Sequence, residues 1–201
     1  MSGATVGATA VAVVVGYLLG SVPVAVLVAR RHRVDPRAVG DRNPGYWNVK
    51  EHLGGRRAVP VFVGDTLKGT LAALVGVAVA PDGAWGVGYA AVAAAMLGHA
   101  WPLFARFRGG RAVLTFAGGM CVLAPLAAAV AVALFVVLSL AWSFAWGARA
   151  GVFCFPLLQL ALDSPYRTAA TGALMSFIGL RFLMAGSDGP ATSAQDEGHR
   201  R

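Results

Sequence analysis

The sequence predicts an all-α integral membrane protein of about seven transmembrane helices, with its N-terminus outside and its C-terminus cytoplasmic. Three observations carry this. Of 201 residues, 57% are hydrophobic and only 13% charged, where a soluble domain carries about 25% charged residues. The apolar residues fall in runs of bilayer-spanning length. Most of the 17 Lys and Arg, which against nine Asp and Glu give a net charge of +8, cluster in a few links between those runs. A nucleic-acid binder would place its bases on a water-exposed face. Bases set between long apolar runs are the pattern of positive-inside loops, and no nucleic-acid partner is expected.

Residues 5–29 carry no charge and are long enough to cross the membrane with some tilt. No basic segment precedes them, so they read as a retained span rather than a cleaved signal. Residues 30–57 form a loop with eight bases: Arg30, Arg31, Arg33, Arg37, Arg42, Lys50, Arg56 and Arg57. Residues 59–80 are the second span, containing Asp65 and Lys68, and 84–105 the third, with His99 near its end. A second basic loop holds Arg106, Arg108 and Arg111. Residues 112–148 are uncharged and too long for one crossing, so Pro125 is read as dividing them into two helices, the first short. A short apolar segment at 150–162 and a last one at 168–185, interrupted by Arg181, complete a single membrane domain over 1–185. A polar tail at 186–201 is expected to be disordered. The opposite links carry only Arg167 near Pro165, so the Lys/Arg bias puts both basic loops in the cytoplasm. Cys121 and Cys154 lie in apolar runs without ligand spacing and read as buried structural thiols. Trp47, Trp85, Trp101, Trp142 and Trp146 mostly fall near membrane interfaces and are given no catalytic role.

Three stretches can carry chemistry. The first loop mixes Gly, Arg and Asn beside the membrane, a composition suited to phosphate through backbone nests, planar guanidinium forks and Asn43 or Asn48. A solvated loop against anionic lipid headgroups is an equal reading of composition alone. Asp65 and Lys68 are i,i+3 neighbours able to pair, and an intramembrane charge is functional by default; the bland reading is a snorkelling lysine with a neutralising partner. In residues 98–111, Gly109-Gly110-Arg111 precedes an apolar run, so it lies at a helix N-terminus where amides and the dipole favour an anion. His99 and, one turn into the helix, Thr115 add polar groups. Arg181 reads as a snorkelling side chain. No zinc spacing, Walker loop or nucleophile–base–acid triad is present.

These motifs resemble the bacterial acyl-phosphate:glycerol-3-phosphate acyltransferase family, PlsY. GSVP at 20–23 is similar to its GSIP, DPRAVGDRNPGYWNV at 35–49 to DxRxxGSGNxGATNV, DTLKG at 65–69 to DxxKG, and GHAWPLFARFRGGRAVLT at 98–115 to GHxxPxFxxFxGGKGVAT. The resemblance implies a seven-helix enzyme of the bacterial inner membrane. It would transfer a fatty acyl group from acyl phosphate to the 1-hydroxyl of glycerol 3-phosphate, giving lysophosphatidic acid for phospholipid synthesis, with no cofactor, acyl-CoA or metal. It also implies His99, Lys68 and Asn48 as catalytic residues. Asp35 is a further family position kept here, and the implied substrate-binding set is Arg37, Asn43, Gly45, Asp65, Gly109, Gly110, Arg111 and Thr115. The chain departs from the pattern at Asp41 (family Ser), Glu51 (Arg), Arg111 (Lys) and Ala112 (Gly). In the C-terminal HxxNIxRLxxGxE motif, Ser176, Gly179 and Phe182 stand for His, Asn and Arg. The alternative is a member that has lost the chemistry and binds lipid or phosphate; a small-solute transporter would show repeats, and none is seen.

Overall fold

The computed structural model describes residues 2–187. Nine α-helices and one 3-10 turn occur among the described residues, with no strand. They are α1 (Gly3–Gly20), α2 (Val24–Arg30), α3 (Tyr46–Leu53), α4 (Gly55–Val79), α5 (Gly86–Ala100), α6 (Val113–Leu123), α7 (Pro125–Ala141), α8 (Phe144–Leu162) and α9 (Pro165–Ser187). An all-helical chain is what hydrocarbon demands, because each helix satisfies its own backbone polar groups.

Residues 5–29, expected as one unbroken span, are split between α1 and α2. Pro23 lacks an N–H and disfavours helical geometry at Val22. At the break the Val22 carbonyl leaves the helical ladder, accepts the Val24 N–H at 3.0 Å and keeps room for a second donor. The first basic loop is not all loop either: α3 occupies its middle, and α4 starts at Gly55, so Arg56 and Arg57 sit in the first turn of a helix. Pro125 divides the long apolar run as anticipated, standing at the first position of α7. α8 begins at Phe144, six residues before the expected 150, and α9 at Pro165 rather than 168. The last helix reaches Ser187, into the expected tail; residues 188–201 of that tail lie outside the described residues.

Four segments are long and apolar enough to cross a membrane: Gly3–Arg30, Gly55–Val79, Gly86–Ala105 and Pro165–Ala185. α6, with 11 residues, spans only about 16 Å of a hydrocarbon core about 30 Å thick. α1, α4, α5 and α6 pack as a central group, with α7 against α8 beside them. Small residues set the close crossings. On α4, a side chain at Gly69 would run into the Thr115 backbone of α6, and on α1 one at Gly20 would run into the Ala95 carbonyl of α5. The larger core cluster gathers Met96, Val92, Met120 and Ala127. The two thiols are free; Cys121 is exposed, contrary to the buried expectation, and Cys154 is half-buried.

Candidate functional site

The site begins with charges that should not be inside. Asp65 and Lys68 stand one turn apart on α4, both buried, and their side chains pair at 2.9 Å. Lys68 does not snorkel: its Nζ turns inward and donates to the Val22 carbonyl at 3.3 Å, the acceptor exposed by the α1–α2 break. His99, buried in the last turn of α5, places Nδ1 3.7 Å from the same Asp65 oxygen. That is a close approach rather than a formed hydrogen bond. Desolvation is costly for each of these groups, and their mutual pairing offsets part of that cost.

The glycine corner lies directly over this cluster. Gly110 passes so close to the His99 imidazole that a Cβ would collide with Nε2, and it would also press tightly on Asn43 Oδ1 and the Pro44 carbonyl. Its neighbour Gly109 is hemmed in by the His99 and Ala100 carbonyls. The expected anion nest is not made by these two residues. The Gly109 N–H donates to Ala100 O and the Gly110 N–H to His99 O, both at 3.1 Å. They are glycines because the chain must pass close to His99. The available donors lie one step on, at the first turn of α6, whose leading N–H groups have no helical partner; Phe116 makes the first bond, to Ala112 O. Arg181, expected to snorkel, instead reaches this corner from α9. It directs Nε to Gly110 O at 3.4 Å and a terminal nitrogen to Gly109 O at 3.5 Å, while stacking on Trp101 at 4.9 Å. Trp101, read as a belt residue, thus supports the site.

The first basic loop closes the mouth. Asn48 is buried, and its amide nitrogen donates to Pro36, Val39 and Asn43 carbonyls at 2.7, 3.0 and 3.1 Å. Expected among the catalytic groups, it braces the loop through its amide nitrogen, while its Oδ1 is buried with no partner among the described residues. Gly45 starts α3 and packs on the Asn43 amide. Arg37 and Asp35 form a two-pronged pair; the guanidinium hydrogen bond holds the Asp35 carboxyl below its ordinary value of 3.8, and Asp35 raises Arg37 in turn. Asp41 accepts from the Asn43 N–H with one oxygen and from Arg111 with the other, at 2.8 Å. The negative charge that replaces the family serine is therefore met by the arginine that replaces the family lysine. Glu51 is exposed on α3.

Asp65, Lys68, His99, Gly109 and Gly110 line one pocket, together with Pro23, Pro44 and Arg108. A neighbouring cavity of about 260 Å³ is walled by Arg37 and by Arg30, Arg106, Leu27 and Phe104, a pairing of guanidinium groups with apolar side chains. Thr115 is fully buried in the α4–α6 contact and its hydroxyl has no partner, so it sits below the pocket rather than in its wall. The reading of residue types placed Arg106 and Arg108 beside the glycine corner but did not bring Arg30 or Arg181 to the site, where the structure sets Arg30 in the cavity wall and Arg181 against the corner. For Arg181, the signal was an unpaired charge in an otherwise apolar run. On the same helix, Ser176 and Gly179 are exposed, and Phe182 serves as a platform 4.5 Å beneath the Arg111 guanidinium.

The chain is similar to proteins that carry the same motifs. It is 45% identical over 113 residues to the glycerol-3-phosphate acyltransferase of Rubrobacter xylanophilus, covering 56% of each chain. It is 38% identical over 169 residues to that of Halorhodospira halophila, covering 83% of this chain and 85% of the relative. The first of these matches, like that to Halalkalibacterium halodurans, spans little more than half the relative's length. Among solved structures it is similar to PlsY, an integral membrane glycerol 3-phosphate acyltransferase, in its glycerol 3-phosphate form. The TM-score is 0.78 at 27% identity, over 89% of this chain and 90% of that one. The form with lysophosphatidic acid matches with a TM-score of 0.75 at 26% identity, with the same coverage. The family model described as glycerol-3-phosphate acyltransferase matches residues 10–185, and the chain belongs to that family of integral membrane proteins.

Proposed function

We propose that this protein transfers a fatty acyl group from acyl phosphate to the 1-hydroxyl of glycerol 3-phosphate, releasing inorganic phosphate and lysophosphatidic acid into phospholipid synthesis. The observation that carries this is the buried Asp65–Lys68–His99 cluster opening beneath the glycine corner between two basic loops. Both substrates carry phosphate, and one carries a tail that must lie in lipid. A site with cations at its mouth and apolar helix faces around it suits both. The family membership and the likeness to PlsY with glycerol 3-phosphate bound support the same reading.

In this reading the glycerol hydroxyl attacks the acyl carbonyl and the carbon–oxygen bond to phosphate breaks. Lys68 Nζ, held by Asp65 and Val22 O, stabilises the negative charge that develops on the reacting oxygens. His99 turns Nδ1 toward Asp65 and Nε2 toward Gly110, so Nε2 is the face available to take the hydroxyl proton, a role that a substrate phosphate can share. Arg37, Arg111 and the first turn of α6 supply phosphate donors. Asn43 lies at the rim against Gly110, while Asn48, Gly45 and Thr115 keep the loop and helices in register. The chain would lie in the bacterial inner membrane as one domain, crossing seven times with both basic loops in the cytoplasm, the N-terminus outside and the C-terminus inside. The described residues support one end for both loops, because Asp41 of the first binds Arg111 of the second. The reading as a family member that only binds lipid or phosphate is not favoured, since burying Asp65, Lys68 and His99 together costs stability that simple binding at the surface would not require.

The test is direct. The protein is reconstituted in vesicles with acyl phosphate and labelled glycerol 3-phosphate, and lysophosphatidic acid is measured. Product is expected, and Lys68→Ala should lower its rate roughly a hundredfold or more. Binding of glycerol 3-phosphate without product from the wild-type chain would overturn the enzymatic reading and leave the binding one.

A further inference from the structure

The Asp41–Arg111 pair joins two positions 70 residues apart, and three features make it more than a surface ion pair. Arg111 is four-fifths covered, its plane rests on Phe182, and its Nε is buried with no partner among the described residues. A guanidinium has five donors, and Asp41 engages one terminal nitrogen of it, leaving the Nε side unused. Asp41 itself is 40% exposed and is tethered through its second oxygen only to the Asn43 N–H two residues on. The arginine is therefore fixed in place, while the carboxylate sits on a loop at the pocket mouth. Next to Arg111 stand Gly110, which touches His99, and the open first turn of α6.

We propose that Asp41 is an internal stand-in for phosphate: in the empty protein its carboxylate occupies the place against Arg111 that a substrate phosphate takes, and binding exchanges the one anion for the other. This rests on the acyltransferase reading for the identity of the substrate, but not for the exchange itself. A phosphate has three peripheral oxygens against the carboxylate's two and can span both terminal nitrogens of the guanidinium, where Asp41 engages one. It can also accept from the first-turn amides of α6. Displaced, Asp41 swings into water at little cost because it is already part-exposed. Asp41 thus keeps Arg111 charge-compensated while the site is empty, and it sets how strongly a phosphate must bind to enter.

The experiment measures binding of inorganic phosphate and of glycerol 3-phosphate to the full chain in nanodiscs by calorimetry. Asp41→Asn should tighten both by about two- to fivefold, the fold-change that corresponds to releasing an exposed ion pair. Arg111→Gln should weaken both by on the order of tenfold. The decisive result is the double variant, which should bind like Arg111→Gln alone, because Asp41 acts only through Arg111. Equal tightening by Asp41→Asn in the presence and absence of Arg111, or no tightening at all, would overturn the proposal. Thermal unfolding of each variant identifies any that fail to fold, and Asp41→Ser then stands in for Asp41→Asn. Turnover is read separately. Tighter phosphate binding without product leaves the exchange standing and removes the acyltransferase reading; product without the tightening does the reverse.

Discussion

The third and the last crossing segments contribute to the same site on opposite terms. Gly86–Ala105, which contains α5, is 67% buried within the protein and Pro165–Ala185, within α9, only 11%. α5 is held on several sides by α1, α4 and α6, through Gly, Ala and Met side chains that allow close contact. It carries His99, buried, at its end. α9 faces outward along most of its length and reaches the site through Arg181 and Phe182 at one end. The lesson concerns where a family pattern can drift. The packed helices carry Asp65, Lys68, His99 and the glycine corner, while on the outward-facing helix Ser176, Gly179 and Phe182 stand where the resemblance leads one to expect His, Asn and Arg. In their place it supplies an arginine one position earlier.

Damage by substitution should be graded by this contrast. The largest effect is expected at Gly69, where any side chain meets the Thr115 backbone. Gly69→Val should cost about 3 kcal/mol or more through overpacking and abolish folded, monodisperse protein in size-exclusion runs. On the outer helix, Arg181→Ala should be milder: a loss of on the order of 1 kcal/mol in thermal stability, with a several-fold fall in product rate as the glycine corner loosens. A fall as large as that of Lys68→Ala would show that α9 is as integral to the chemistry as α4. Ala112 tests the corner from the other side. It holds φ +61°, where the family pattern has glycine and an L side chain costs about 1 kcal/mol. Ala112→Gly should therefore raise the thermal midpoint by a degree or more for a gain of about 0.5 kcal/mol, part of the relief being lost to unfolded-chain entropy.

The smallest effect belongs to the mouth loop and to pH. Because Arg37 lowers the Asp35 carboxyl below its ordinary value of 3.8, the pair's contribution is complete above that value and is lost as pH falls through the lowered one. Protease cleavage within residues 31–45 should rise only in that acid range, and Asp35→Asn should show the raised cleavage at every pH. Cleavage of the wild-type loop that is unchanged at acid pH would show that Asn48, not the ion pair, holds the loop.

The helices, their apolar faces and the division at Pro125 could be read directly from residue order, because hydrocarbon permits little besides helices and because charge and proline punctuate a chain locally. The same holds for Asp65–Lys68, whose spacing brings them together on any helix. The amino-acid sequence by itself thus determined the class of the molecule, the family motifs and the charged turn at the centre of the site. Only the tertiary structure decided what the loop residues do. Asn48 became a brace because three carbonyls of its own loop converge on it. Gly109 and Gly110 gave their N–H groups to α5 and kept only their smallness for the site. Arg181 was drawn inward by carbonyls 71 and 72 residues away, and the negative charge of Asp41 is met by Arg111. Partners at such separations leave no periodic trace in a sequence, since they depend on which helix ends meet rather than on the spacing within any one of them.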